Sequence, residues 1–175
     1  MKFHPLQRWE QHAKVRWLLG VSFVILLVVM SLIPLEPGIL AYQFDALGVT
    51  AIWGSSEKLW AAFSLGLDFL YLAIYSTFFA LECIRIANQF QHRSFAKLGI
   101  ALAWGQWLAA SVDSLENIAL FAILLGSHNE ALALTAKLFA VLKFSLVVTG
   151  LLYILAGCVF LHYNQTFKRG LCITF

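Results

Sequence analysis

The sequence is poor in charge. Asp, Glu, Lys and Arg supply 12% of its 175 residues, about half the share found in a soluble domain. With 61% of residues hydrophobic, that excludes both an ordinary soluble enzyme and a disordered chain. Cysteine is scarce too. Cys83, Cys158 and Cys172 are unclustered and no CxxC occurs, so neither a disulfide scaffold nor a zinc or redox motif is expected. Histidine is missing from the long apolar runs. His4, His12, His92, His128 and His162 fall at their ends or between them, which leaves nothing to hold a haem between helices and no metal-ligand spacing. There is no serine nucleophile elbow, no P-loop and no basic face with interleaved aromatics. No cofactor, no metal and no nucleic-acid partner is expected.

What the chain has is apolar length. The mean hydropathy is +0.82. Residues 17–33 carry no charge, and three further runs, 59–81, 98–125 and 138–161, carry very few. Each reaches the roughly 17–25 residues needed to cross a bilayer core. The expected fold is all-α: a polytopic transmembrane four-helix bundle forming a single domain. Its expected parts are a short interfacial helix (1–16), four spans (17–33, 59–87, 95–125 and 128–162), an apolar outer loop (34–58) and a tail (163–175). Phe3, Leu6, Trp9, Ala13 and Trp17 recur on one face of the first segment. The outer loop contains Ile39, Leu40, Tyr42, Phe44, Leu47, Val49, Ile52 and Trp53. A run that apolar predicts a short helix lying on the spans, and long self-packed loops often serve as lids.

Lys and Arg precede the first span, fill the turn between the second and third, and follow the fourth. The outer loop holds Glu36, Asp45 and Glu57 against Lys58. This bias predicts cytoplasmic termini; the expected localisation is as a multi-pass protein of the bacterial inner membrane. The basic start and apolar run have the form of a signal peptide, but no A-x-A-like site follows Met30, so a retained anchor is expected. Cys172 to Phe175 has the outline of a prenylation box, with Thr174 a poor match. The sequon Asn164-Gln165-Thr166 falls on the cytoplasmic side. Gly54 to Glu57, Ser94 and the Ser127-His128-Asn129-Glu130 box are the expected helix caps, with Gly126 ending the third span.

Five charged residues lie inside the spans: Asp68, Asp113, Glu116, Lys137 and Lys143. Unpaired near the membrane centre they would cost on the order of 10–15 kcal/mol together, so they must meet one another or water. The short turns fix relative depth. Glu116 is expected opposite Lys137, and Asp68, Asp113 and Lys143 in one layer with Glu116. Helical spacing places Ser64, Asp68, Tyr71, Tyr75 and Glu82 on one face, and Gln106, Ala110, Asp113 and Asn117 on another. A polar interior lined by the last three spans follows, with the first span as scaffold. Three carboxylates against two lysines predict either one protonated acid at pH 7 or a bound cation.

The run Leu67 to Ser76, the element Asp113-Ser114-Leu115-Glu116-Asn117, the pair Lys143-Phe144 and Ala51 to Gly54 resemble a group of small bacterial four-helix membrane proteins of uncharacterised function. The resemblance covers residues 44–150. It implies that Asp68, Asp113, Glu116, Asn117 and Lys143 belong together, and it supplies no activity.

The function expected from the residues is binding of an amphiphilic, lipid-like or isoprenoid-like molecule, under cover of the outer loop. The expected ligand-binding residues are Asp68, Tyr71, Tyr75, Asp113, Glu116, Asn117, Lys137 and Lys143. Alternatives are an accessory or assembly subunit with a membrane-protein partner or a second copy, an intramembrane enzyme using Asp68 and Asp113 as acid and base, and a proton or cation pathway.

Overall fold

The computed structural model describes residues 4–9, 11–90 and 92–171, the last eight of these as backbone alone. The described chain consists of helices and their connections. After a 3₁₀ turn at Pro5–Arg8 come α1 (Ala13–Ser31), α2 (Ile39–Phe44), α3 (Ala46–Ile52), α4 (Ser55–Gln89), α5 (Arg93–Leu124) and α6 (Glu130–Leu171). Four of them, α1, α4, α5 and α6, are long and apolar enough to cross a membrane. A multi-pass membrane protein is the class these helices define. The 35 residues of α4 extend about 52 Å, well beyond a hydrocarbon core of about 30 Å, so both helix ends project past it.

The three long helices α4, α5 and α6 pack on one another, whereas α1 leans on α4. Small side chains permit the close approach. A Cβ at Gly99 would lie 2.7 Å from that of Ala87, and one at Gly150 would collide with the Gln106 amide. On α1 no residue is buried. It is held by Phe23, stacked on Tyr71 and Phe78 at 5.6 and 6.0 Å, and by an ion pair from Arg16 to Glu82 at 3.1 Å. Glu82 also takes Arg85 at 2.6 Å.

The apolar segment between α1 and α4 forms two short helices, seated on the ends of α5 and α6. The Tyr42 and Trp53 rings meet at a tilt with centroids 4.7 Å apart, and the Tyr42 hydroxyl donates to the Leu120 carbonyl at 2.6 Å. Burial pushes this phenol up to about 12, so it stays a donor. Asp45 starts α3 by accepting from the Gly48 N–H.

Several local expectations are corrected. The start is not one helix: a 3₁₀ turn and a break at Gln11 and His12 precede α1. The break lets the chain fold back, so that His4 lies against Trp104 and Trp107, with ring centroids 4.6 and 4.8 Å away. Side-chain caps are missing from α4 and α5. At α6 the cap is Asn129 rather than Ser127, accepting from Ala131 and Leu132 N–H at 2.9 and 3.3 Å. Gly126 ends α5 at φ +104°, a conformation open to glycine. Helix α6 runs to Leu171, through residues read as tail. The prenylation-like Cys172 to Phe175, Phe3 and the side chains of the Asn164 sequon lie outside the described residues.

Candidate functional site

Spacings of three and four residues carry Ser64, Asp68, Tyr71 and Tyr75 along one face of α4. The same rule carries Asp113, Glu116 and Asn117 along α5. Lys143 comes from α6, on the face that also buries Ala136 and Ala140. These faces converge. The Lys143 ammonium lies 2.6 Å from Asp113 Oδ1 and 2.9 Å from Glu116 Oε2. The second Asp113 oxygen accepts from the Tyr75 hydroxyl at 3.1 Å. Asn117 Nδ2 donates to Asp68 Oδ2 at 2.7 Å, bridging α5 to α4. Asp68, Tyr75, Asp113, Glu116, Asn117 and Lys143 are all buried, and Tyr71 is half-buried beside Tyr75 at 5.3 Å.

One expected member stands apart. Lys137 is exposed and does not face Glu116. It lies six residues before Lys143, which turns it about 120° around α6, away from α5. Lys143 takes its place as the partner of Glu116. Glu82, on the same stripe of α4, lies about 21 Å along the helix from Asp68 and belongs to the separate Arg16–Glu82–Arg85 group.

Without Lys137 the charge is lopsided. Three carboxylates face one ammonium. Buried charge without a partner costs several kcal/mol, so the cluster in isolation is under-compensated. Lys143 occupies the gap between Asp113 and Glu116, and among the described residues no group of three His, Cys, Asp or Glu is placed to hold a metal ion. Unmet polar atoms remain around the cluster: Asn117 Oδ1 and Glu116 Oε1 are buried without a hydrogen-bond partner.

The cluster forms the floor of a cavity of about 320 Å³. Asp68, Tyr71, Tyr75, Asp113 and Lys143 supply the polar part. Phe79 from α4, with Phe144 and Val147 from α6, supplies apolar wall. Of the remaining walls, α1 is one the sequence does not announce, whereas α2 belongs to the outer loop expected to cover the site. Helix α1 contributes Leu27, Met30 and Ser31, and α2 contributes Ile39, Leu40 and Gln43. So α1 is a wall of the site as well as scaffold. It packs on α4 with no comparable contact to α6, and the cavity lies between the two, roofed by α2. Leu27, Leu40 and Phe144 at its rim are exposed, so the mouth faces sideways, toward the lipid side of the helices. Gln43 is buried, with Oε1 unpartnered. The signal that could have found it is a lone amide amid the apolar residues of 39–53.

Fold and site together define an all-helical multi-pass membrane protein with a carboxylate–lysine cluster at the base of a lateral cavity. No family model, curated protein or solved structure matches the chain. Any role for these residues is therefore argued from their chemistry.

Proposed function

We propose that the protein is a four-helix transmembrane bundle of the bacterial inner membrane, with both termini cytoplasmic, that binds an amphiphilic, lipid-like or isoprenoid-like molecule. The Lys and Arg distribution supports the orientation. One observation carries the binding reading: a cavity with apolar walls and a charged floor, open sideways between α1 and α6. Apolar pockets with a few convergent polar groups are the usual form of small-molecule sites. A lateral mouth suits a molecule that arrives through the membrane. The polar head would meet Asp68, Tyr71 and Tyr75 while Lys143, Asp113, Glu116 and Asn117 hold the floor, and the tail would leave past Leu27 and Phe144. Helix α2 would act as the cover.

The acid–base reading has less support. Asp113 lies beside Asp68, but both its oxygens are already engaged, by Lys143 and Tyr75, so its charge is spent within the cluster rather than free to act as a base.

Native mass spectrometry of the protein released from mild detergent tests the proposal. The wild type is expected to carry an adduct of defined mass. Val147→Trp, which fills the cavity with a ring, should lose it while keeping the folded charge-state distribution. A bare wild-type monomer, or an adduct retained by Val147→Trp, would count against a ligand in this cavity.

A further inference from the structure

The charge of the floor selects the head. Lys143 is saturated by Asp113 and Glu116. Asp68 lines the cavity, and among the described residues no cation pairs with it; it accepts a hydrogen bond from Asn117. Across the cavity, Gln43 is 6% exposed and its Oε1 has no partner. The roof thus presents a buried oxygen in need of a donor, and the floor a carboxylate whose hydrogen bond comes from the neutral Asn117 amide. Tyr71, Tyr75 and Phe79 continue the α4 wall on successive turns past Asp68, with neighbouring centroids 5.3 and 6.4 Å apart. Aromatic faces attract cations and favour alkylammonium groups in particular. An anionic head would meet Asp68 and an ammonium already shared by two carboxylates. A cationic head would offset the excess negative charge, and the three-ligand geometry a metal would want is missing.

We propose that the cavity takes a cationic amphiphile, its alkylammonium head between Asp68 and Gln43 against the Tyr71 ring and its chain leaving between α1 and α6. This rests on the amphiphile reading above and adds the sign of the head. The cavity has room for roughly ten water-sized groups, enough for the head and the first carbons of a chain. The rest of the chain lies against the exposed rim and the lipid.

Three photoreactive probes of equal chain length test the sign: dodecyltrimethylammonium, dodecanoate and dodecanol, each with a diazirine near the head. They are added at equal mole fraction to the full-length protein in dodecyl maltoside. Labelling of peptides containing Gln43 and Tyr71 is divided by labelling at the exposed Val24 and Val159, which corrects for partitioning. The ammonium probe is expected to exceed the carboxylate probe by about tenfold, the equivalent of about 1.4 kcal/mol. In Asp68→Asn, which keeps an oxygen for Asn117, the excess should vanish. Gln43→Leu should reduce it, and the wild-type comparison stands alone if Asp68→Asn does not accumulate. Equal labelling by all three probes, or preference for the carboxylate, would overturn the cationic head and leave the amphiphile reading standing. No labelling above the lipid-facing reference would overturn both.

Discussion

Lys143 Nζ lies 2.6 Å from Asp113 Oδ1, joining α6 to α5 through two side chains that are each almost wholly withdrawn from solvent. The same ammonium serves Glu116. Removing a member of a buried ionic group strands the others, and such losses run to about 3–5 kcal/mol. Lys143→Met should therefore destabilise the protein by about that amount, read by denaturant unfolding in detergent. Adding Glu116→Gln to Lys143→Met should recover part of the loss, because one stranded carboxylate is gone. A double variant no more stable than the single one would deny that Lys143 and Glu116 are coupled.

Tyr42 ties the covering segment down. Its hydroxyl bond to the Leu120 carbonyl is one between neutral groups, worth about 1 kcal/mol net. Tyr42→Phe should raise hydrogen exchange across α2 and α3 severalfold while leaving α4 and α5 protected. Uniform loss of protection over all the helices would mean that α2 and α3 are not a separable cover.

At Gly99, α5 comes close to both α4 and α6. A Cβ there would meet the Ala87 Cβ at 2.7 Å and the Tyr153 ring as well. Gly99→Leu should cost about 1–3 kcal/mol through overpacking, whereas Gly66, which has open space around it, should accept Leu with little change. Equal thermal midpoints for the two variants would contradict the packing described.

His4 supplies a pH-dependent contact. Burial lowers its imidazole below the ordinary 6.5, and Nδ1 accepts from the Leu6 N–H at 3.2 Å, which requires the neutral ring. Folding of this segment releases a proton when the pH lies between the lowered value and 6.5. The stabilisation is thus fully present above about 6.5 and is lost as pH falls from there through the lowered value. The exchange protection factor at residues 6–9, with the intrinsic pH dependence divided out, should fall as pH drops below about 6.5, and in His4→Gln it should lose that dependence. A wild-type profile flat from pH 8 to 5 would show that His4 does not titrate in this window.

The four long helices were legible because apolar length is a one-dimensional signal. The convergence of Asp68, Asp113, Glu116 and Lys143 was legible because short turns fix depth and 3.6-residue spacing fixes face. Lys137 matches Glu116 in depth but not in rotation: its direction on α6 differs by about 120° from that of Lys143. The wall from α1 was illegible, while α2 belongs to the outer loop that its apolar run marks as a cover. Nothing local in Leu27 or Met30 tells which neighbour they face; that depends on how far α1 stands from α6. Gln43 could have been noticed, since one amide in an apolar covering segment needs a destination.

The central claim is that the cavity between α1 and α6 holds an amphiphile by its head. The most direct test is an electron cryo-microscopy map of the protein extracted with its surrounding lipids in polymer nanodiscs and enlarged by a rigid antibody fragment. The account predicts elongated density entering between Leu27 and Phe144, ending within about 3 Å of the Asp68 carboxylate. Helix α1 packed directly onto α6, with the cavity closed and Asp68 covered by protein, would contradict it.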